Sequence, residues 1–394
     1  MDFLIIYLNY NKKFGNNFAF HFNMKKYLVP FVFCLKLIFY GAWAQTNDLI
    51  PFRKGNLWGF ADKTKKIVIE CKYDEVFPFH EGVAFVKHND SYAMINSEGK
   101  TITAFEFEIL DLSIDLDTEV ENPYEFINGY AIVKQGKFGV VDKTGHFVIS
   151  PIYDCIKFFK EGLAAVCKNY KWGFINEQGK EVVPVQYDEV KSFNEGYAAV
   201  RIQQRWGFID KNGREVINLF KYDNFKGEGF NEGLAAVSKN GKYGFIDKMD
   251  FTVIPFKYDW AYNFHEGLAT VKINKKQGAI DQKGNLIIPA IYDEIYPFSG
   301  GIAKVDSAEQ IKYINQTGAH ITHEAFEDGK SFSEGLAAVQ KKGKWGFIDI
   351  YGKMVILPKY DDVKRSFHNG LALVEWHGKL GYIDKSGKEY WVNQ

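Results

Sequence analysis

The stretch FSEGLAAVQKKGKWGFID, residues 332–349, decides the fold, because the chain spells it again with few changes. Residues 230–247 read FNEGLAAVSKNGKYGFID, and residues 159–176 read FKEGLAAVCKNYKWGFIN. Taking Trp345 as the marker, the same slot falls at Trp58, Tyr92, Phe138, Trp172, Trp206, Tyr243, Gln277, Ile311, Trp345 and Leu380. The spacings are 34, 46, 34, 34, 37, 34, 34, 34 and 35 residues. Self-similarity at a fixed period marks a repeat architecture and overrides the domain count that 394 residues would otherwise suggest.

A period near 34 also belongs to paired-helix repeats, so helix has to be excluded. Each unit holds runs such as GLAAV, WGFID and EVVPVQY, too short for a stable helix and separated by turns. Lys239-Asn240-Gly241-Lys242 and Lys211-Asn212-Gly213-Arg214 are hairpin signals, because Asn-Gly accepts the positive φ angles of tight hairpin turns. Each repeat therefore reads as three short antiparallel strands and a linker, YDEVKSFNE at 187–195. Tyr187, Val190 and Phe193 in that linker are spaced for one helical turn or a tight loop tucked under the sheet. Within Trp-Gly-Phe-Ile-Asp, alternation sends Trp and Phe to one side and Gly and Ile to the other. A strand glycine marks close approach, here expected from an aromatic ring lying flat across the backbone. At 17% aromatic residues, the composition supplies large apolar groups to units too small for a thick core.

The combination F-x-E-G-L-A-x-V, then W-G-F-I-D, then P-x-x-Y-D resembles the WG-containing repeats across essentially residues 49–394. The resemblance implies an all-β bacterial repeat protein, often exported, with poorly defined activities. Gln277, Ile311 and Leu380 depart from the ring slot.

About thirty strands cannot stay in one flat sheet, since open sheets rarely exceed about ten strands without curling or splitting. A propeller blade takes four strands and about 40–45 residues, more than this period supplies. The chain enters at a first strand (49–52) and leaves after a third (390–392), with no strand left to pair. The expectation is an elongated open β-superhelix of ten three-stranded repeats, with a closed propeller-like ring as the alternative.

Residues 24–44 begin with Met24 and two lysines, run apolar, and end at Ala42-Trp43-Ala44, the order of a secretory signal. Residues 1–23 then read as an upstream extension annotated too early, and 45–394 as the repeat domain. Formal charge over the whole chain is zero. Residues 1–44 hold five lysines and one aspartate, which leaves the remainder near −4 and without the basic excess of a nucleic-acid binder. Beyond the signal, Cys71, Cys155 and Cys167 are an odd set with no close spacing, neither a disulfide framework nor a zinc site.

A catalytic group is needed once, whereas a residue recurring in nearly every unit serves the frame. Tyr-Asp recurs at Asp74, Asp154, Asp188, Asp223, Asp259, Asp293 and Asp361, where the carboxylate is expected to accept backbone N–H groups of the following turn. Glu81, Glu161, Glu195, Glu232, Glu266 and Glu334 form a second column, each followed by glycine, as at Gly196, Gly233 and Gly335. Carboxylate pairs for glycoside hydrolysis could be drawn from these columns, but nothing singles out an acid and its partner. His80, His265 and His368 share one column and read as tolerated surface variants; His320, His323 and Glu324 read as a solvated loop. Two features break the symmetry. Residues 101–126 carry eight acids and no base, an insertion that reads as a solvated excursion or a docking loop. Lys137, Lys171, Lys242, Lys344 and Lys379 form a row at the first hairpin turn, protecting strand edges or contacting an anionic polymer.

These columns designate Trp58, Trp172, Trp206, Tyr243, Trp345, Asp74, Asp188, Asp259, Gly196, Gly233 and Gly335 as frame positions, with no catalytic, cofactor or metal residue. The functional expectation is an exported, non-catalytic scaffold for another macromolecule. A cell-envelope polysaccharide binder is the alternative, and a carboxylate-dependent glycoside hydrolase a weaker one.

Overall fold

A computed structural model describes residues 49–108, 110, 124–225, 227–308 and 310–392. The expected signal segment and the centre of the acidic insertion lie outside them. Among the described residues every regular element is a strand, and none is a helix long and apolar enough to cross a membrane.

Among the described residues the strands form ten small sheets, six of four strands and four of three, antiparallel except for one parallel pair. They are the blades of a closed ten-bladed β-propeller, numbered in chain order, with blade 1 at 50–73, blade 2 at 75–96, blade 3 at 130–153, blade 4 at 155–187, blade 5 at 189–222, blade 6 at 224–258 and blade 10 at 362–384. The expectation of an open superhelix is therefore overturned, for two physical reasons.

The first is that the linker is not a linker. In blade 5 the two-residue strand Glu189–Val190 pairs with Tyr197–Ile202, in register Glu189↔Arg201 and Val190↔Val200. Arg205–Asp210 and Glu215–Tyr222 follow, so the blade has four strands. Repeat and blade are out of phase: the Tyr-Asp linker ends one blade and begins the next. A two-residue strand has no alternation to read, which is why the sequence suggested three. Val190 and Phe193 are buried with Tyr187 in one cluster, but in a strand and loop, not a helical turn.

The second reason is that a strand was left over. Trp391–Val392 lies parallel to Ile50–Lys54, with Arg53 opposite Trp391 and Lys54 opposite Val392. Arg53 N–H donates to Tyr390 O, and Gly55 N–H to Val392 O, both at 3.2 Å. The same segment is tied to blade 10 through the Tyr390 N–H to Tyr382 O bond at 2.9 Å. Around this seam Trp58 and Phe60 share a core with Leu373 and Tyr382, and Trp58 meets Tyr382 edge-on at 5.8 Å.

Side-chain alternation assembles the ring. In blade 4, Trp172 and Phe174 pack on Ala198, Val200 and Ile209 of blade 5, while Ile175 packs back toward blade 3. The third strand of this blade thus presents large rings to the following blade and a branched aliphatic to the preceding one. The glycine between the rings answers a backbone, not an aromatic. Trp172 pairs with Tyr187 but Phe174 with Val183, so the outer strand bulges by two residues opposite Gly173. A Cβ there would stand 2.6 Å from Val183 O. Around Gly381 the Trp391 ring takes that place, and ring atoms of Phe147 and Phe256 come within 3.1 and 3.0 Å at Gly139 and Gly244, behind the nearer backbone atoms.

Candidate functional site

The repeated columns are consumed in joining blades. Asp188 sits where blade 4 passes into blade 5. One carboxylate oxygen accepts the Gln203 N–H at 2.8 Å from the hairpin turn of blade 5, and the other takes the Lys171 ammonium from the hairpin turn of blade 4. Asp259 repeats this with the Asn274 N–H at 2.9 Å and Lys242 at 2.6 Å, and Asp74 accepts the Asn89 N–H at 2.6 Å. Four of the five lysines of the expected surface stripe are thereby engaged: Lys137, Lys171, Lys242 and Lys344 each bond the aspartate ahead of them. These ammonium groups are the leading reason the carboxyls of Asp154, Asp188, Asp259 and Asp361 are held below the usual aspartate range.

The glutamate column does the same at the opposite end of the blades. Glu161 accepts the Gly196 N–H at 3.0 Å, one blade on, and pairs with Lys211 of that blade at 3.0 Å. Glu195 does so with the Gly233 N–H and Lys248, both at 3.0 Å. The geometry demands a left-handed backbone: φ is 53° at Glu161 and 52° at Glu195, and 89°, 80° and 83° at Gly196, Gly233 and Gly335. Two successive positive φ values make the two-residue hairpin turn that matches strand twist.

The ring slots are interior. Trp58, Trp172, Trp206, Tyr243 and Trp345 are all buried. Gln277 is buried too, and its side-chain oxygen accepts the Ile295 N–H at 2.7 Å, so a hydrogen bond occupies the place of an aromatic face. Sequence reading overlooked two members of the Tyr-Asp column. Phe326-Glu327 supplies one, with Glu327 accepting the Lys342 and Gly343 N–H groups at 2.7 and 2.8 Å. Phe107-Glu108 supplies the other, with Glu108 accepting the Gly136 N–H at 2.5 Å. An aromatic followed by either acid is the signal that would have found both.

The histidine column is not a set of equivalent surface variants. His368 Nε2 lies 2.7 Å and His80 Nε2 3.3 Å from the same oxygen of Glu125, whose side chain is 9% exposed. Asn369 adds a hydrogen bond at 3.3 Å. The end of the insertion is thus anchored to blades 2 and 10. Burial opposes ionisation of Glu125, but His368, His80 and Asn369 outweigh it and hold the carboxyl below its ordinary range. Glu324, in the loop read as solvated, pairs with Lys341.

Beside column residues such as Trp172, Asp188, Trp206 and Glu334, residues outside the columns face inward. A cavity of about 2050 Å³ is lined by the first strands and following loops of most blades. Its wall is irregular. Glu189 is shared by Arg201 at 3.0 Å and Lys191 at 3.3 Å. Lys160 pairs with Glu228 at 2.6 Å. Lys304 lies 3.5 Å over the Tyr296 ring and donates to Gly329 O at 3.1 Å; burial lowers its pKa. Tyr262 stands 42% exposed against Trp260, ring centres 4.2 Å apart. The volume is well beyond the roughly 300–1,000 Å³ of a small-molecule pocket. Among the described residues no group of His, Cys, Asp and Glu is arranged to hold a metal ion.

A family model described as the WG containing repeat matches residues 58–92, 138–172, 172–205, 206–243, 243–276, 278–306, 313–345 and 345–379, well over half of the sequence. The chain belongs to the WG-repeat family. None of the curated proteins matches this WG-repeat chain in sequence. Among solved structures, it is similar to the crystal structure of a eukaryotic initiation factor, at 10% identity over 87% of this chain and 95% of that one, TM-score 0.47. It is also similar to AztD of Citrobacter koseri, at 11% identity over 78% and 92%, TM-score 0.37. PorZ, a surface component of the type-IX secretion system of Porphyromonas gingivalis, is similar at 11% identity over 87% of this chain and 52% of PorZ, TM-score 0.31. At these TM-scores the structural likenesses carry no functional argument.

Proposed function

We propose that this WG-repeat propeller is an exported, non-catalytic scaffold that binds an extended segment of another protein in its central cavity. The observation that carries the reading is the contrast between column and cavity. Residues that recur are spent on blade-to-blade bonds, whereas the cavity wall varies from blade to blade and has room for a chain segment. Its lysines, arginine and acids are interleaved, which suits a polypeptide of mixed character better than a polyanion. Export rests on the signal-like order of residues 24–44.

The hydrolase reading draws no support from the glutamates. A glycosidase acid needs a raised pKa. Burial pushes Glu161 and Glu334 up, yet their lysine and glycine partners prevail and hold both below the ordinary range. A polysaccharide ligand would use exposed rings, and Tyr262, packed edge-on against the half-buried Trp260, is the ring that favours it.

Photo-crosslinking from the position of Tyr262 in the native host, with a glycan array run in parallel, tests the assignment. A protein adduct, with a blank array and no adduct from Phe220 on the exposed outermost strand of blade 5, is the expected result. Glycan binding lost in Tyr262→Ala would replace the protein ligand with a polysaccharide. Reproducible turnover abolished by one carboxylate substitution would overturn the non-catalytic reading.

A further inference from the structure

Two cysteines twelve residues apart in sequence meet in blade 4. Cys155 opens the two-residue strand Cys155–Ile156, and its register partner on Leu163–Lys168 is Cys167. Both belong to one apolar cluster on one side of the sheet, with Trp172 and Tyr187. Cys167 is 4% exposed within it, and Cys155 is half-buried at its margin. Directly opposed residues of an antiparallel pair have Cα atoms about 4.5–5.5 Å apart. A disulfide takes Cα separations of about 4.4–6.8 Å, so the register already satisfies the backbone requirement.

We propose that Cys155 and Cys167 are a disulfide-forming pair, a redox modification site that staples the first strand of blade 4 to its second. The neighbourhood favours the reaction. Lys137 bonds Asp154, the residue before Cys155, and its ammonium lies within electrostatic reach of both thiols. A nearby cation promotes the thiolate, the nucleophilic form. Cys155, the more accessible sulfur, attacks one sulfur of a small disulfide; that S–S bond breaks and one thiol leaves with a proton. Cys167, giving up its own proton, attacks the Cys155 sulfur and expels the second thiol. Two protein thiols become one cystine while one disulfide oxidant becomes two thiols. Cys71 lies in blade 1, where its thiol contacts Phe52 O at 3.5 Å and burial raises its pKa, so it stays outside the exchange.

The test is non-reducing peptide mapping of the full chain after equilibration with oxidised glutathione and quenching with an alkylating agent. The expected result is a cross-linked peptide containing Cys155 and Cys167 in most molecules, with Cys71 alkylated. Thermal melting should rise on oxidation of the wild-type chain and not of Cys155→Ser. Cys155 and Cys167 both recovered alkylated or glutathionylated, or a bridge through Cys71 or Cys34 instead, overturns the proposal. The wild-type map decides this whatever the variants do.

Discussion

Glu161 Oε2 accepts the backbone N–H of Gly196 at 3.0 Å, although the two residues belong to successive blades. The contact explains why a non-glycine residue holds φ near 53° at this turn, a conformation glycine adopts far more readily. Local strain is offset by a bond to the neighbour and by Lys211.

Glu161→Gly separates the two effects. It relieves the backbone strain but removes the clasp, whereas Glu161→Ala keeps the strain and removes the clasp. Both should be less stable than wild type, alanine the more so, with a loss of about 1–2 kcal/mol. Denaturant midpoints give the order. A glycine variant at least as stable as wild type would show that the clasp contributes no more than the backbone strain it offsets.

Trp206→Ala should cost about 3–5 kcal/mol, as large aromatic truncations in packed cores do. Trp206 shares its cluster with Phe225, Phe230 and Val237, so hydrogen exchange should accelerate first in blades 5 and 6. Unchanged melting with altered ligand binding would instead make the ring a contact surface.

Gly207→Ala tests the reading of the WG pair. The new Cβ would stand 2.6 Å from both Ile217 O and Leu219 Cα, all backbone atoms that cannot swing aside. A loss of about 1–3 kcal/mol is expected, the range for overpacking, despite the intrinsic preference for alanine over glycine in a strand. A neutral or stabilising result in the melting curve would mean the bulge yields easily.

The strands, their alternation and the interior place of Trp206 were legible because a ten-fold repeat averages out accidents of any one copy. Closure was legible only as the alternative to an open superhelix, because it rests on two-residue strands such as Glu189–Val190 and on one parallel contact, Arg53 with Trp391, between segments at the two ends of the repeat array. Column logic also misjudged His80 and His368. Treating residues in one column as equivalent hides what happens when two of them meet a residue outside every column, here Glu125.

Closure makes its own prediction. A chain ending at Tyr390 loses the Trp391 ring from its cluster with Trp345 and Tyr360 and loses the parallel pair with Arg53. The melting temperature should fall, with a cost of at least about 3 kcal/mol. Exchange at the Gly55 amide, whose acceptor Val392 O is removed, should become fast while blade 5 stays protected. Equal protection of Gly55 in both chains would mean the seam is held elsewhere.

Acid should open the ring from its repeated carboxylates. The folded-state pKa values of Asp154, Asp188, Asp259, Asp293 and Asp361 are depressed, in each case chiefly by a lysine that donates to the carboxylate. A depressed folded pKa gives stability that is fully present above the unfolded value, about 3.9 for aspartate. That stability drains away as pH falls through the folded value. Each pair is exposed and individually weak. Five junctions sharing the device should nevertheless make the urea midpoint flat above about pH 5 and falling steadily below about pH 4. Asp188→Asn should lower the plateau slightly and make the acid decline shallower, because one of the titrating groups is gone. High salt should lower the plateau of the wild-type chain more than that of the variant. A wild-type midpoint that stays level from pH 5 down to pH 2.5 would show that these lysine–aspartate junctions position the blades without stabilising them.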